Sequence, residues 1–192
     1  MKRIFFIILS VLITFPLYAT TSDFHPYIGI DAGMNITDYT TDINMDDTFY
    51  SATINAGARI GNNFGAELFF SHSSSNDMEY LYLYDTLHHE LYYMAFGFDI
   101  YAYYNISREF DLFTSFGVAN YKVYNKYDYL DPYSSYSETQ SDSNVTTRLG
   151  IGIMYTIHND NVSLLAQYQY VPINNEIINT MSEFSIGARY LF

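Results

Sequence analysis

His72 and Ser74 stand two residues apart in the string HSSSN. Along a β-strand that spacing puts both side chains on one face. An imidazole beside a hydroxyl is the pairing of a base with a nucleophile, and Glu90 offers a carboxylate to orient the ring. One His-x-Ser pair specifies little, and serine-rich strings commonly open loops. The expectation is therefore a non-catalytic protein. His88 and His89, with Asp85 and Glu90, are zinc-ligand types. Adjacent strand residues point to opposite faces, which argues against one ion held by both histidines. Asp42, Asp46, Asp47, Asp128 and Asp131 supply hard oxygens suited to weak calcium binding, and are read as solvated loop charge. No metal and no cofactor is expected.

A second set of charges sits inside otherwise apolar stretches: Asp31, Arg59, Glu67, Asp99, Arg148 and Arg189. The elements that carry them alternate with period two, the signature of β-strands with unlike faces. In FSIGARYLF, Phe184, Ile186, Ala188, Tyr190 and Phe192 share one parity, and Ser185, Gly187, Arg189 and Leu191 the other. Seven further segments behave alike, near residues 27–34, 50–60, 64–72, 92–104, 110–121, 145–157 and 162–171. Each has about the ten residues that a tilted strand needs to cross a bilayer. Nine of the ten glycines share the face of the charged set, and only Gly61 falls in a turn.

The connections alternate. Residues 35–49, 73–91, 122–144 and 172–182 are long; residues 61–63, 105–109 and 158–161 are short. Long loops at one end and tight turns at the other are what a membrane barrel shows. The spacing predicts an all-β, eight-stranded antiparallel up-and-down transmembrane β-barrel. Its apolar parity meets lipid and its glycine-and-ion parity faces a narrow lumen. Eight strands leave an interior that side chains nearly fill, so the inward charges are expected to form an ion network that plugs it. A soluble barrel or sandwich with inverted faces is the rival, but a water-facing surface of glycine would be odd.

Residues 1–19 read as a signal peptide: Lys2 and Arg3, then an apolar run, then a small-residue cleavage site after Ala19. Residues 20–192 form the barrel domain. Formal net charge is −13; Lys2 and Arg3 lie in the leader, so six basic residues face 21 acidic ones in the remainder. Such a surface argues against nucleic acid or anionic lipid headgroups as partners and permits basic protein surfaces or divalent cations. Cysteine is absent, which excludes a disulfide framework and a lipidated anchor. Tyrosines interleave with acids in two long connections. Tyr80, Tyr82 and Tyr84, with Tyr127, Tyr129 and Tyr133, are the candidate interaction residues, because tyrosine offers rigid contact area with a polar tip.

The strings ATINAGARIGNNFGAELFFSH, FGFDIYAYYNISREFDLFTSFGVANYKV and SIGARYLF resemble the second and third strands, central hairpin and closing strand of small outer-membrane barrels. These include opacity-type proteins, OmpA-like barrel domains and outer-membrane surface antigens. The resemblance implies a monomer of the bacterial outer membrane, embedded in outer-membrane lipid. It also implies surface display: adhesion to a host-cell or extracellular protein, immune interaction or envelope integrity. Tyr190 and Phe192 are similar to the terminal signal read by the barrel-assembly machinery. HSSSN also resembles the His-x-Ser element of outer-membrane lipid A deacylases, although Ser75 stands where asparagine is expected and the strand differs. A deacylase-type enzyme and a small porin-like channel are the alternatives.

Overall fold

The computed structural model describes residues 24–40, 46–82, 85–130, 135–157 and 161–192. The expected signal peptide, the turn at residues 158–160, and Asp42, Tyr84, Asp131 and Tyr133 lie outside the described residues. Nine strands follow one another: β1 (Phe24–Tyr39), β2 (Thr48–Ile60), β3 (Phe64–Ser73), β4 (Asn76–Tyr82), β5 (Asp85–Asn105), β6 (Phe110–Leu130), β7 (Ser135–Thr156), β8 (Val162–Val171) and β9 (Ile178–Leu191).

Neighbours pair antiparallel in the order β3-β2-β1-β9-β8-β7-β6-β5, and a β3–β5 ladder joins the two ends into a closed ring of eight. The ring leaves no open edge within its span, which is the condition for a sheet to sit in lipid. β1 and β9, the first and last strands, meet over Tyr27↔Leu191 to Asp38↔Thr180.

Two parts of the eight-segment expectation are corrected. The connection at 73–91 contains a ninth strand, β4, which pairs with β5 alone from Asn76↔Leu91 to Tyr82↔Asp85. Residues 122–130 and 135–144 are not loop but the upper halves of β6 and β7, paired from Lys122↔Ser143 to Leu130↔Ser135. β5, β6 and β7 are thus 21, 21 and 22 residues long. Above the membrane both faces of a strand are wet, so polar residues replace the apolar parity while Tyr, Thr and Val still favour extended backbone. Sequence polarity marks that level as loop, although the ladder continues through it.

The faces fall as their chemistry requires. On β9 Phe184, Ile186 and Tyr190 point outward, Ile186 at 67% exposure, as does Phe192 just past its end, while Glu183, Ser185 and Arg189 are buried. Outward apolar residues on β7 run from Tyr155 to Val145. Ten steps of about 3.4 Å at a tilt of about 40° make a band roughly 26 Å tall, close to the band expected of outer-membrane barrels. Rings fringe it at both edges. Phe110–Tyr155 (4.8 Å between centroids) and Tyr190–Phe192 (5.3 Å) lie at the turn end, and Tyr92–Tyr124 (4.8 Å, stacked) at the other.

The interior holds more than glycine and ions. Phe49, Phe69, Leu91, Tyr93, Tyr121, Val171, Ile173 and Met181 form an apolar cluster toward the long-connection end. Tyr101, Tyr103, Phe113, Met154 and Leu165 form another toward the turns. Inward glycines make room for these bodies. A Cβ on Gly97 would come within 2.7 Å of the Phe69 ring, and one on Gly117 or Gly187 would collide with the carboxylate of Asp99 or Asp31. In a lumen this narrow, each large inward group needs a bare backbone opposite it.

Candidate functional site: the luminal ions and the outer rim

The six predicted luminal charges come from six strands, and all but Arg59 gather into clusters between the apolar layers. Arg189 on β9 grips Asp31 of β1 with both terminal nitrogens, Nη1 to Oδ1 at 2.5 Å and Nη2 to Oδ2 at 3.0 Å. Its Nε donates to Glu67 Oε2 on β3 at 2.8 Å. Asn55 Nδ2 donates to Asp31 (2.8 Å) and the Tyr101 hydroxyl to Glu67 (3.0 Å). Arg148 on β7 lies 3.6 Å from Asp99 and 3.3 Å from Glu183, hydrogen-bonds Gln169, and stacks 3.9 Å above the Phe69 ring. Arg59 stands apart near the turn end, paired with Asp111 at 2.7 Å and lying 4.5 Å over Tyr103. Buried charge is tolerable only when paired and hydrogen-bonded, and these groups largely are.

Glu183 and Asp111 complete the clusters and are missing from the predicted set. Parity alone could have found both, since Glu183 falls with Arg189 and Asp111 with Ser115 and Gly117. The count is unequal: Asp31, Glu67, Asp99, Asp111 and Glu183 surround three arginines. Asp99 Oδ1 and Arg148 Nε are buried with no hydrogen-bond partner.

His72, Ser74 and Glu90 do line one open groove, with Tyr50, Ala52, Tyr92, Met94 and Lys126. They do not form a relay. Ser74 Oγ accepts a hydrogen bond from the Tyr50 N–H (3.1 Å). The His72 ring meets the edge of Tyr92 at 6.0 Å, and Glu90 pairs with Lys126 at 3.5 Å. Among the described residues no hydrogen bond links His72 to Ser74 or to Glu90.

The two adjacent histidines part company as strand geometry requires. His89 is buried, stacked on Tyr127 at 4.4 Å and hydrogen-bonded to Asn125. His88 faces the other way. Its possible metal-ligand partners are Glu90 and Asp77, the three ligand atoms lying within 4.8 Å of one another. Asp77 is brought to this cluster by the pairing of β4 with β5, which alternation along the sequence does not reveal. The Lys126 ammonium already stands beside Glu90 and lies 2.8 Å from Asp128. Hydrogen bonding to Asp128 raises the Lys126 pKa, and the same bond, with one from Ser137, lowers that of Asp128.

Of the candidate tyrosines, Tyr80 and Tyr82 fall in β4, and Tyr127 and Tyr129 in the upper half of β6. The structure therefore sets them on a sheet rather than on free loops. Tyr190 and Phe192 stand outward at the turn-end rim.

A closed ring of eight strands, greasy outside, ion-paired within and prolonged by strands at one end, defines the class of small transmembrane barrels. The chain belongs to the outer membrane protein beta-barrel domain family, whose model matches residues 6–192. It is a protein of the bacterial outer membrane and sits in its lipid. Two solved structures share the fold. Ail, the attachment invasion locus protein of Yersinia pestis, solved with the heparin analogue sucrose octasulfate, is 13% identical with a TM-score of 0.58, over 88% of this chain and 99% of Ail. Neisserial surface protein A is 18% identical with a TM-score of 0.59, over 87% and 97%. At these identities the likeness concerns the fold alone. No curated protein sequence matches the chain.

Proposed function

We propose that the barrel is a non-catalytic display scaffold, and that the sheet standing above its rim binds basic surfaces of host-cell or extracellular proteins. The observation that carries this is the sheet β4-β5-β6-β7. β6 and β7 stay paired for six further residues beyond Tyr124↔Ser141, about 20 Å of strand. Tyr129 and Tyr136 are exposed on it, among Asp77, Glu90, Asp128, Glu138 and Asp142. Rigid tyrosines among carboxylates suit a cationic protein surface. β8 joins β7 only from Leu149 onward, so the upper part of β7 offers a strand edge to an extended partner. The acidity of this chain does not suit a polysulfated ligand like the one bound to Ail.

The lumen, on this reading, is closed. Two apolar layers bracket the arginine clusters, and steady large currents in planar bilayers would overturn that part. Ser74, tied to the Tyr50 backbone, supports the non-catalytic assignment. Residues 1–19 serve as a cleaved export signal, Tyr190 and Phe192 as the handle for the barrel-assembly machinery, and the barrel works as a monomer.

The test trims β4 and the upper halves of β5, β6 and β7 to the level of the Tyr92–Tyr124 pair. Cells displaying the full chain should adhere to host cells and to an immobilised basic protein; cells displaying the trimmed barrel should not. Undiminished adhesion, with the barrel still folded, would refute the proposal.

A further inference from the structure

Cations are scarce in this chain, and their placement is selective. Beyond Lys2 and Arg3 there are six. Arg59, Arg148 and Arg189 are committed to luminal carboxylates. Arg108 lies in the turn between β5 and β6, at the opposite end from the sheet. Only Lys122 and Lys126 face outward at the long-connection end, on one face of β6. Lys126 is neutralised by Asp128 and Glu90. Lys122 has no carboxylate partner among the described residues. Its ammonium instead sits 4.7 Å over the Tyr124 ring.

The height of Lys122 is informative. The outward residues of β6 read Phe110, Leu112, Thr114, Phe116, Val118, Asn120, Lys122 and Tyr124. Apolar character ends after Val118, and Tyr124 stacks on Tyr92 in the outer fringe of rings. Lys122 therefore stands at the upper boundary of the hydrocarbon band, at headgroup level. Cross-strand pairing sets Lys122 beside Met94, and Met94 beside His72. The row Ala52, His72 and Met94 lines the groove that also holds Tyr50 and Tyr92, and Lys122 follows Met94 in that row, just beyond the groove's lining. Below it Phe96 and Val118 are exposed and apolar.

We propose that Lys122 seats the phosphate of an outer-leaflet lipid headgroup. The Tyr92–Tyr124 stack flanks that phosphate, and the lipid's acyl chain runs down over Met94, Phe96 and Val118. An unpaired ammonium at the membrane boundary of a strongly acidic protein fits an anion held there by the membrane itself. A phosphate gives it a charge-assisted hydrogen bond, and the apolar column beneath favours a lipid over a free anion. Lys126, already bound by two carboxylates, contributes little.

The experiment places the full chain in nanodiscs of phosphatidylcholine containing a minor fraction of lipid A, and counts retained lipid by native mass spectrometry. The wild type should retain lipid A. Lys122→Gln should lower retention roughly tenfold or more, the scale of one charge-assisted hydrogen bond. Lys122→Arg should preserve retention, and Lys126→Gln should change it little. Heat-modifiable gel mobility shows that each variant is folded. Equal retention by wild type and Lys122→Gln would overturn the proposal, as would an equal loss in Lys126→Gln. Displacement of the lipid by millimolar inorganic phosphate would show a free-anion site and overturn the lipid assignment. Should Lys122→Gln fail to fold, loss of retention in Lys122→Arg would still overturn it.

Discussion

A lysine placed at successive outward positions of β7 should report the membrane's thickness as a profile of stability. Ile151 lies four residues from Tyr155 and six from Val145, the ends of the outward apolar run. That puts it within about 3 Å of the middle of a band roughly 26 Å tall. Its side chain is 56% exposed, so lipid rather than protein is its neighbour. Ile151→Lys should therefore cost about 2–4 kcal/mol, the penalty for a cation at mid-bilayer. Ile153→Lys, some 5 Å lower, should cost less, and Val145→Lys about 0–1 kcal/mol. Urea titration of folding into phosphatidylcholine vesicles, followed by gel mobility and tyrosine fluorescence, measures each difference. A flat profile, or one that peaks at Val145, would mean that this face does not meet hydrocarbon. The reasoning from parity to membrane would then be wrong.

Other outcomes follow from the interior and from the sheet above the rim. Arg189→Met should destabilise the barrel by about 3–5 kcal/mol, because Asp31 and Glu67 are left buried without their cation; in the same vesicle assay a change under 1 kcal/mol would contradict the pairing. Gly117→Val should slow or prevent folding, since its side chain would enter the space of the Asp99 carboxylate, whereas Gly61→Asn in the β2–β3 turn should be nearly silent in folding yield. At Asp128 the folded-state pKa is depressed by Lys126 and Ser137, so its contribution is present above the ordinary aspartate pKa and fades as pH falls through the lower folded value. Amide exchange in the upper part of β6 should accordingly quicken on acidification, while exchange near Phe116 stays unchanged.

Wherever one face of a strand meets lipid, the fold was legible. There a single rule, apolar out, governs every second residue, and a slip of one position would drive Arg189 or Arg148 into hydrocarbon. β8 shows how sharp the rule is: its bounds in the structure, Val162–Val171, are those read from alternation. The rule lapses at the membrane's upper edge, because water accepts both faces. For that reason the halves of β6 and β7 above Lys122, and the whole of β4, read as loop. The candidate site was legible in the same proportion. Parity alone finds the luminal ions, but not which acid meets which arginine, because Arg189 and Asp31 are brought together by the pairing of the first and last strands and lie 158 residues apart. His72, Ser74 and Glu90 line one groove, but their partners there, the Tyr50 amide for Ser74 and Lys126 for Glu90, are invisible in sequence because strand pairing brings them in.

The division between rim and lumen has a consequence for how such a chain can change. Inward residues are coupled across the ring: Gly117 to Asp99, Asp99 to Arg148, Arg148 to Phe69, and Phe69 to Gly97. Altering one member leaves a clash or an unpaired charge, so these positions should vary only in concert. The upper sheet has few such constraints. Its strands are held to one another mainly by backbone pairing and by exposed contacts such as Lys126–Asp128, each worth little. Its residues can therefore be exchanged at small cost to the barrel below. A surface that must recognise an outside partner, and change when that partner changes, is best carried on backbone-paired strands above a core that tolerates almost nothing.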